Sequence, residues 1–395
     1  MSLTLNSTLS VVPIEIRKDN KRYIIEDQTS GEFFEMSEVC IDAITMICKG
    51  EQLGAIEPAL KKNYPDEDVD LLDFAEQLLE LNLIDKIDGI KIEIQYKEKE
   101  KLGFIWIPQR MGKFFFNNFT YPLFAVVFII NIILFLLHPS LFPRHDDIFV
   151  FDIMVINVIF WMVFTFLFVL IHEFGHVLAM RAYNLPTKLE IGHRMFFVVL
   201  LTDMSSVWKL TPKDRNVLFL AGLCFDSVLL FISLIVQLMF PNGHWFIIGL
   251  MNLAVFDTVL RMIYQCCFYM KTDLYFVLEN ITGCYNLMEM AQKTISKRFS
   301  FFNSKSSKEL VFSEERNIVF LFSIFYCIGV IITILLYIIY FIPEIIYAGK
   351  QLLPGFVQPP TSLLFWDAVV FSLQVSIFLV LLLYSWRKKY LLNKM

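Results

Sequence analysis

Long uninterrupted runs of hydrophobic residues occur only after residue 118 of this chain. A helix needs about 20 predominantly apolar residues to cross a hydrocarbon core of about 30 Å. By this criterion the sequence predicts six membrane-spanning helices, at about 119–138, 149–180, 215–240, 244–270, 316–342 and 363–386. The apolar run at 195–201 is too short to span a bilayer as a helix, so we expect a re-entrant segment or a strand that is covered by protein.

The first hundred residues show the pattern of a small soluble domain. Alternating polar and apolar residues, separated by the turn-forming sequences KDNK and DQTSG, predict strands at 12–17, 22–26 and 31–36. Helical spacing predicts helices that follow them at 37–49, 51–62 and 68–81. Two further short strands, at 83–85 and 90–95, complete the domain.

Capping and spacing define the first and third of these helices. Ser37 can cap the first helix and Asp68 the third. In the third helix, helical spacing predicts a buried face formed by Leu71, Phe74, Leu78 and Leu81.

These patterns predict a mainly α polytopic membrane protein with a small N-terminal α+β domain. The N-terminal domain covers 1–97, a linker covers 98–118, and the membrane domain covers 119–395. Hydrophobic residues make up 56% of the chain and charged residues 18%, whereas soluble domains contain roughly 25% charged residues. The composition therefore agrees with a membrane protein.

The charge distribution predicts the orientation in the membrane. Residues 1–100 contain 22 acidic and 11 basic side chains, whereas the rest of the chain contains 17 acidic and 23 basic ones. Nearly all of those basic residues fall in loops on the side of the N-terminal domain, so the positive-inside rule predicts that both termini are cytosolic. The first 30 residues also lack the apolar segment of a signal peptide. The richness in Ile, Phe and Lys favours a bacterial cell membrane.

His172, Glu173 and His176 form an H-E-x-x-H motif within the second predicted membrane helix. Histidines four residues apart lie one turn apart on the same helix face, so both can bind one zinc ion while the glutamate acts as general base on a water. Three ionisable groups in five residues are costly inside a membrane unless they have a function. The motif predicts zinc as the cofactor, His172 and His176 as ligands, and Glu173 as the catalytic residue of a peptide hydrolase.

A catalytic zinc site usually has three protein ligands and one open position. The other histidines are poor candidates, because three of them are expected at the opposite membrane face and His193 lies in a turn-like IGHR sequence. The seven cysteines contain no C-x-x-C pair that would indicate a thiolate site. The third and fourth predicted helices return the chain to the level of the histidines near 271–275. Asp273 is therefore the predicted third ligand, whereas Asp226 and Asp257 are expected to lie too deep in the membrane.

Several other polar residues leave two interpretations open. Asp226 could orient a zinc-bound histidine, and Asp203 could position the segment at 195–201 or contact substrate. Asp257 and Arg261 lie four residues apart on the fourth helix, where an intramembrane ion pair is favoured over substrate binding. Gly175 could permit close helix contact or leave room for a substrate backbone.

Ordered segments of the membrane domain resemble the site-2 protease family of intramembrane metalloproteases. The matching segments are HEFGH at 172–176, LTDMSSVWKL at 201–210, LAGL at 220–223 and KTDLY at 271–275. The resemblance covers about 150–290 and implies that Asp273 completes the zinc site. Asn286-Leu287 adds a similarity to the peptide-maturation branch of the family. The sequence departs from the family at Leu274, which replaces a glycine, and in QCCFYMK, which lacks an expected proline.

Residues 10–95, including the run GEFFEMSEVCIDAITMICKG, resemble the PqqD-like peptide-recognition domains of ribosomal-peptide maturation systems. These are small winged-helix modules, in which a leader peptide adds as a strand to the sheet edge and packs on the third helix. The resemblance implies a peptide precursor as partner, with its leader bound by 31–36 and 69–81. A winged-helix domain with a regulatory or structural role is the alternative.

The sequence thus favours a zinc metalloendopeptidase of the site-2 protease type that removes a leader from, or otherwise matures, a ribosomally synthesised peptide. Its expected partners are that precursor and the lipid bilayer, and no nucleic acid. One alternative is a membrane-tethered leader-binding subunit with a structural zinc site. Another is an export subunit for the mature peptide, although no P-loop sequence accompanies the six predicted helices.

Overall fold

The computed structural model describes residues 3–20, 22–65, 67, 69–92, 103–151, 153–194, 197–298 and 315–392. The chain divides into two units. Unit 1 comprises Met1–Leu102 and Trp208–Pro212, and unit 2 comprises Gly103–Val207 and Lys213–Met395. Of the predicted linker, 98–102 lie outside the described residues and 103–118 belong to unit 2.

Unit 1 is an α+β domain. Its strands are β1 (Leu9–Val11), β2 (Ile14–Asp19), β3 (Arg22–Asp27), β4 (Phe33–Met36), β5 (Ile84–Ile87) and β6 (Ile90–Lys91). Its helices are α1 (Glu38–Cys48), α2 (Leu53–Asn63) and α3 (Leu71–Glu80). The strands form two antiparallel sheets, in the orders β2-β3-β4 and β1-β5-β6.

The predicted strand at 12–17 corresponds to β2 at Ile14–Asp19, whereas β1 precedes it at Leu9–Val11 and belongs to the other sheet. Pro13 separates them, and β1 pairs with β5, which lies more than 70 residues later in the chain. Proline has no N–H to donate to a strand ladder, so the change of sheet occurs there. The predicted strand at 90–95 is described only as far as residue 92.

The helix caps of unit 1 agree in part with the prediction. The Ser37 hydroxyl accepts a hydrogen bond from the Cys40 N–H, which confirms that cap. The third helix is capped by Asp70, whereas Asp68, the predicted cap, lies outside the described residues. Because α3 ends at Glu80, Leu81 is 39% exposed and does not belong to the buried face, to which Ala75 contributes instead.

Most of the remaining chain is helical. Its helices are α4 (Gln109–Phe115), α5 (Thr120–Leu137), α6 (Met154–Ala182), α7 (Pro212–Phe219), α8 (Ala221–Met239), α9 (Trp245–Gln265), α10 (Asp273–Thr282), α11 (Leu287–Arg298), α12 (Arg316–Leu336), α13 (Ile342–Leu352) and α14 (Leu363–Leu392). Within the described ranges, six of them are long and apolar enough to cross a membrane, namely α5, α6, α8, α9, α12 and α14. The predicted mainly α polytopic fold is thereby confirmed.

Two helix boundaries differ from the prediction in ways that affect the site. The predicted third span began at 215, but the chain forms α7 up to Phe219 and then starts α8 at Ala221. The predicted fourth span reached 270, but α9 ends at Gln265 and Lys271 adopts a left-handed conformation with φ of 53°. Asp226 therefore lies in the second turn of α8, and Asp273 is the first residue of α10.

A β-hairpin lies between α6 and α7. Its strands are β7 (Leu189–Arg194) and β8 (Phe197–Thr202), which pair antiparallel with Leu189 opposite Thr202. The predicted segment at 195–201 is a strand over its described part, 197–201, whereas 195 and 196 lie outside the described residues. The hairpin contacts α6 and α14, so its backbone is covered by protein on those sides.

Residues 103–118 contain α4, which packs closely on α6 although the sequence assigned this segment to a linker. A Cβ on Gly112 would lie 2.3 Å from the backbone nitrogen of Ala182. The Gln109 side chain donates a hydrogen bond of 3.0 Å to the carbonyl of the same alanine. Glycine thus allows two helix backbones to approach within a distance that no side chain would permit.

Candidate metal centre

His172 and His176 lie one turn apart on the same face of α6. Both side chains are buried, and their ring centroids are 5.1 Å apart with an interplanar angle of 69°. The spacing follows from the four-residue separation on a helix. The two Nε2 atoms consequently point into a common space.

Asp273 reaches this space from the start of α10. Its Oδ2 lies 3.0 Å from His172 Nε2 and 3.3 Å from His176 Nε2. Each of the three residues offers one ligand atom, and these atoms all lie within 4.8 Å of one another. The buried group His172, His176 and Asp273 could therefore hold a metal ion.

The hydrogen bond of His176 identifies which ring nitrogen can bind a metal. Its Nδ1 lies 2.9 Å from the carbonyl oxygen of Leu218. Because a carbonyl only accepts hydrogen bonds, Nδ1 must carry the hydrogen and Nε2 of the neutral ring carries a lone pair. This lone pair faces an oxygen of Asp273, and a cation between the two acceptors would satisfy both. The donor set thus fits a bound metal ion.

His172 has a corresponding partner in Asp226. The distance from His172 Nδ1 to Asp226 Oδ2 is 2.7 Å, and Asp226 is completely buried. A carboxylate that accepts from the distal ring nitrogen fixes both the tautomer and the orientation of a ligand histidine. The orienting contact considered for Asp226 is therefore present. Asp226 lies nearer to His172 than the predicted helix implied, because α8 begins at Ala221 and not at 215, and it is not among the residues that could hold a metal ion.

Glycine residues allow α8 to approach the centre closely. A Cβ on Gly222 would lie 2.3 Å from His172 Nε2 and 2.6 Å from His176 Nε2, so the backbone of α8 forms one wall of the site. A Cβ on Gly175 would lie 2.7 Å from the carbonyl oxygen of Ala221. Of the two interpretations of Gly175, close helix contact is the one observed.

Asp273 is held by Gln265, a residue to which sequence reasoning gave no role. The Gln265 amide nitrogen donates to Asp273 Oδ2 at 2.9 Å, and its amide oxygen accepts from the Asp273 N–H, also at 2.9 Å. The Thr272 hydroxyl donates to the Gln265 carbonyl at 2.7 Å. The signal in the sequence is the polar residue Gln265 at the end of an apolar helix, eight residues before Asp273.

Glu173 is buried next to the two histidines and is held by the end of β8. The Thr202 hydroxyl lies 2.7 Å from Glu173 Oε2 and 3.2 Å from the Glu173 carbonyl oxygen. As a donor to the carboxylate it fixes one of the two oxygens. Sequence reasoning noted Thr202 only as part of a matching segment and gave it no role.

Arg261 connects two buried aspartates. Its Nε lies 2.8 Å from Asp257 Oδ2, so the predicted ion pair is present. Its NH1 lies 3.0 Å from Asp226 Oδ1, a contact that the sequence did not predict. The Thr165 hydroxyl donates to Asp257 Oδ1 at 2.7 Å. Asp257 therefore takes part in a network that includes α6, α8 and α9.

Asp203 has a local structural role. Its side chain accepts from the Ser205 N–H at 2.9 Å, and its carbonyl accepts from the Thr187 hydroxyl at 2.6 Å. These contacts fix the turn that follows β8, which agrees with the first of the two interpretations for Asp203. Among the remaining histidines, His244 accepts from the Phe246 N–H and caps α9.

Behind Asp273, the buried carboxyl of Glu279 stabilises the junction of α10 and α11. Burial raises the pKa of Glu279 from 4.5 to about 7. The Tyr275 hydroxyl donates to its Oε1, which also accepts from the Leu287 N–H at 2.9 Å. These bonds tie α10, and with it Asp273, to the helix that follows.

Protein-family models, curated proteins and solved structures were compared with this chain, and none matches.

Proposed function

We propose that this chain is an intramembrane zinc metalloendopeptidase of the site-2 protease type that cleaves a peptide precursor. The observation that carries the proposal is the convergence of two histidine Nε2 lone pairs and the Asp273 carboxylate, with Glu173 adjacent in the sequence. Two imidazoles and one carboxylate are a ligand set of catalytic zinc sites. Zinc bound there would act as a Lewis acid that activates water and polarises the scissile carbonyl.

Glu173 is the general base in this proposal. Thr202 donates to Oε2 at 2.7 Å, so Oε1 is the atom that would accept the proton from water. Burial of the carboxylate among helices keeps competing water away. In this proposal Glu173 does not bind the metal, because the two histidines and Asp273 supply the three protein ligands.

The depth of the centre supports cleavage within the membrane. His172 lies ten residues before Ala182, the last residue of α6, which corresponds to about 15 Å along the helix axis. The 29 residues of α6 rise about 44 Å, which is more than a hydrocarbon core of about 30 Å. Substrate would therefore reach the site in the half of the span toward Ala182.

Unit 1 is proposed to capture the leader of the precursor in the cytosol. Its strand β4 lies at the edge of the sheet β2-β3-β4, and such an edge can accept an added strand. The PqqD-like resemblance of 10–95 supports the same role. A peptide leader bound there would keep its cleavable segment attached to the enzyme at a raised effective concentration.

A leader-binding subunit with a structural metal is the alternative function. Structural zinc sites have four protein ligands. Among the described residues, the group around His172 contains no fourth His, Cys, Asp or Glu ligand. The open position favours the enzyme.

Variants of the purified full-length chain test the proposal. Glu173→Gln should retain about one zinc per chain and lose cleavage by about 10²- to 10⁴-fold, the usual contribution of a general base. Asp273→Ala should lose most of its zinc. Glu289→Gln is the matched control, because Glu289 pairs with Lys271 and touches none of the proposed ligands.

Zinc is measured by elemental analysis, and cleavage is measured with labelled casein and with a library of quenched fluorescent peptides. Normal turnover by Glu173→Gln would refute the proposed mechanism, and full zinc content in Asp273→Ala would refute the ligand assignment. A wild-type chain that holds zinc and cleaves neither probe would favour the leader-binding subunit.

A further inference from the structure

We propose that Arg261 is a positioning residue of the metal centre, which acts on His172 through Asp226. The inference rests on the metal centre of the proposed function and is independent of proteolysis. Arg261 lies on α9, whereas His172 lies on α6 and Asp226 on α8. The three side chains form a continuous chain of contacts inside the membrane domain.

The first step of this chain is the pairing of Arg261 with Asp226. NH1 of Arg261 lies 3.0 Å from Asp226 Oδ1, and Asp226 is completely buried. The contact is an ion pair between the guanidinium and the carboxylate, defined by this distance. A buried carboxylate without a cationic partner would be strongly destabilising. Arg261 therefore stabilises the Asp226 carboxylate in its buried position.

The second step is the contact between Asp226 and the ligand histidine. Asp226 Oδ2 lies 2.7 Å from His172 Nδ1. Because a carboxylate accepts hydrogen bonds, Nδ1 carries the hydrogen and Nε2 presents its lone pair toward Asp273, 3.0 Å away. The guanidinium therefore holds Asp226, and Asp226 holds the His172 ring, whose Nε2 atom would bind the metal.

Arg261 is itself connected to α6 directly at Phe168 and indirectly through Asp257 on its own helix. Its Nε pairs with Asp257, which accepts from the Thr165 hydroxyl at 2.7 Å. Its NH1 donates to the Phe168 carbonyl at 3.2 Å. Thr165, Phe168 and His172 are separated by three and four residues, so they lie along one helix face. If Arg261 served only as the ion-pair partner of Asp257, it would not need its second contact, to Asp226.

Metal affinity of the purified full-length chain tests this inference. Zinc affinity is measured by competition with a chelator, and the visible absorption of the cobalt-loaded chain reports the ligand geometry. Arg261→Gln and Asp226→Asn should each weaken zinc binding by about 10- to 100-fold. The double variant should be little weaker than either single one, because both act through the same contact.

Arg181→Gln is the matched control. Arg181 is another arginine of the membrane domain, but it donates to the carbonyls of Ile107 and Leu185, at 2.9 and 3.1 Å. Its loss should leave zinc affinity within about twofold, since it has no contact with a ligand. Arg261→Lys keeps the charge without the planar geometry that reaches two carboxylates, so it should show a several-fold loss and an altered cobalt spectrum.

Wild-type zinc affinity in Arg261→Gln would overturn the inference. Additive losses in the double variant would also overturn it, since they would exclude a route through Asp226. If Arg261→Gln does not fold, wild-type affinity and an unaltered cobalt spectrum in Arg261→Lys would overturn it instead. A wild-type chain that binds no zinc would refute the metal centre of the proposed function.

Discussion

The residues that orient the proposed metal centre are mostly outside the motif at 172–176, which supplies two of its three proposed ligands. Gln265 holds Asp273, Asp226 holds His172, and Thr202 holds Glu173. Each contact replaces water around a buried polar group, which would otherwise be costly to desolvate. At the scale of the residue, the motif provides chemical groups and its neighbours provide their geometry.

Thr202 provides a prediction at this scale. Thr202→Val removes the hydroxyl that donates to Glu173 Oε2 and keeps the shape of the side chain. A hydrogen bond to a charged group contributes about 1.5–3 kcal/mol, so we expect kcat to fall by about 10- to 100-fold while zinc content stays at one per chain. Steady-state cleavage of a quenched fluorescent peptide, together with zinc analysis, measures both quantities.

Thr202→Ser is the control for this prediction, because it keeps the hydroxyl and should stay within a few-fold of wild type. Equal kcat values for the valine and serine variants would show that the hydroxyl does not position Glu173.

At the scale of the element, the site depends on how closely α6 and α8 approach. Gly175 on α6 and Gly222 on α8 each occupy positions where a Cβ would collide with the opposite helix. Small residues at such positions allow dense helix packing in membranes, where no hydrophobic force drives helices together. The same approach brings the start of α8, with Asp226, to the level of His172.

Gly222→Ala tests this packing. The added Cβ would lie 2.3 Å from His172 Nε2, so the histidine must move away from the position in which it faces Asp273. We expect zinc affinity to decrease by more than about 10-fold, in line with the effect of disturbed ligand orientation. Chelator competition on the purified variant gives this value.

Gly355→Ala is a steric control for Gly222→Ala. Its Cβ would lie 2.1 Å from the Leu364 carbonyl oxygen, between two elements that supply none of the proposed ligands. It should lower the melting temperature and leave zinc affinity unchanged. Wild-type zinc affinity in Gly222→Ala would contradict the close approach of α8.

At the scale of the whole molecule, the chain combines an acidic α+β unit with a membrane unit that contains every residue of the proposed metal centre. All three proposed ligands and Glu173 belong to unit 2. Metal binding and leader recognition should therefore be separable in the same protein.

A chain that starts at Gly103 tests this separation. It should retain zinc and cleave a precursor that carries its leader at least about 10-fold less efficiently, measured as kcat/KM, because capture by unit 1 raises the effective concentration of the substrate. A short peptide without a leader should be cleaved at the wild-type rate. Processing of the full precursor at the wild-type rate would show that unit 1 has another role.

The sequence by itself determined the features that depend on local pattern. Hydropathy predicted the six membrane-spanning helices, and the four-residue spacing of His172 and His176 placed them on one face. The cap at Ser37 was also evident, because it depends on residues three positions apart. Asp273 was selected by following the path of two helices, and the structure brings it to both histidines.

Only the tertiary structure decided which distant side chains meet. The contacts of Asp226 with His172 and of Thr202 with Glu173 join residues 54 and 29 positions apart. They depend on where α8 begins, on the rotation of each helix about its axis and on the register of the β-hairpin. These quantities are set by packing between elements and by close approach at glycines, which hydropathy and spacing along one element do not encode.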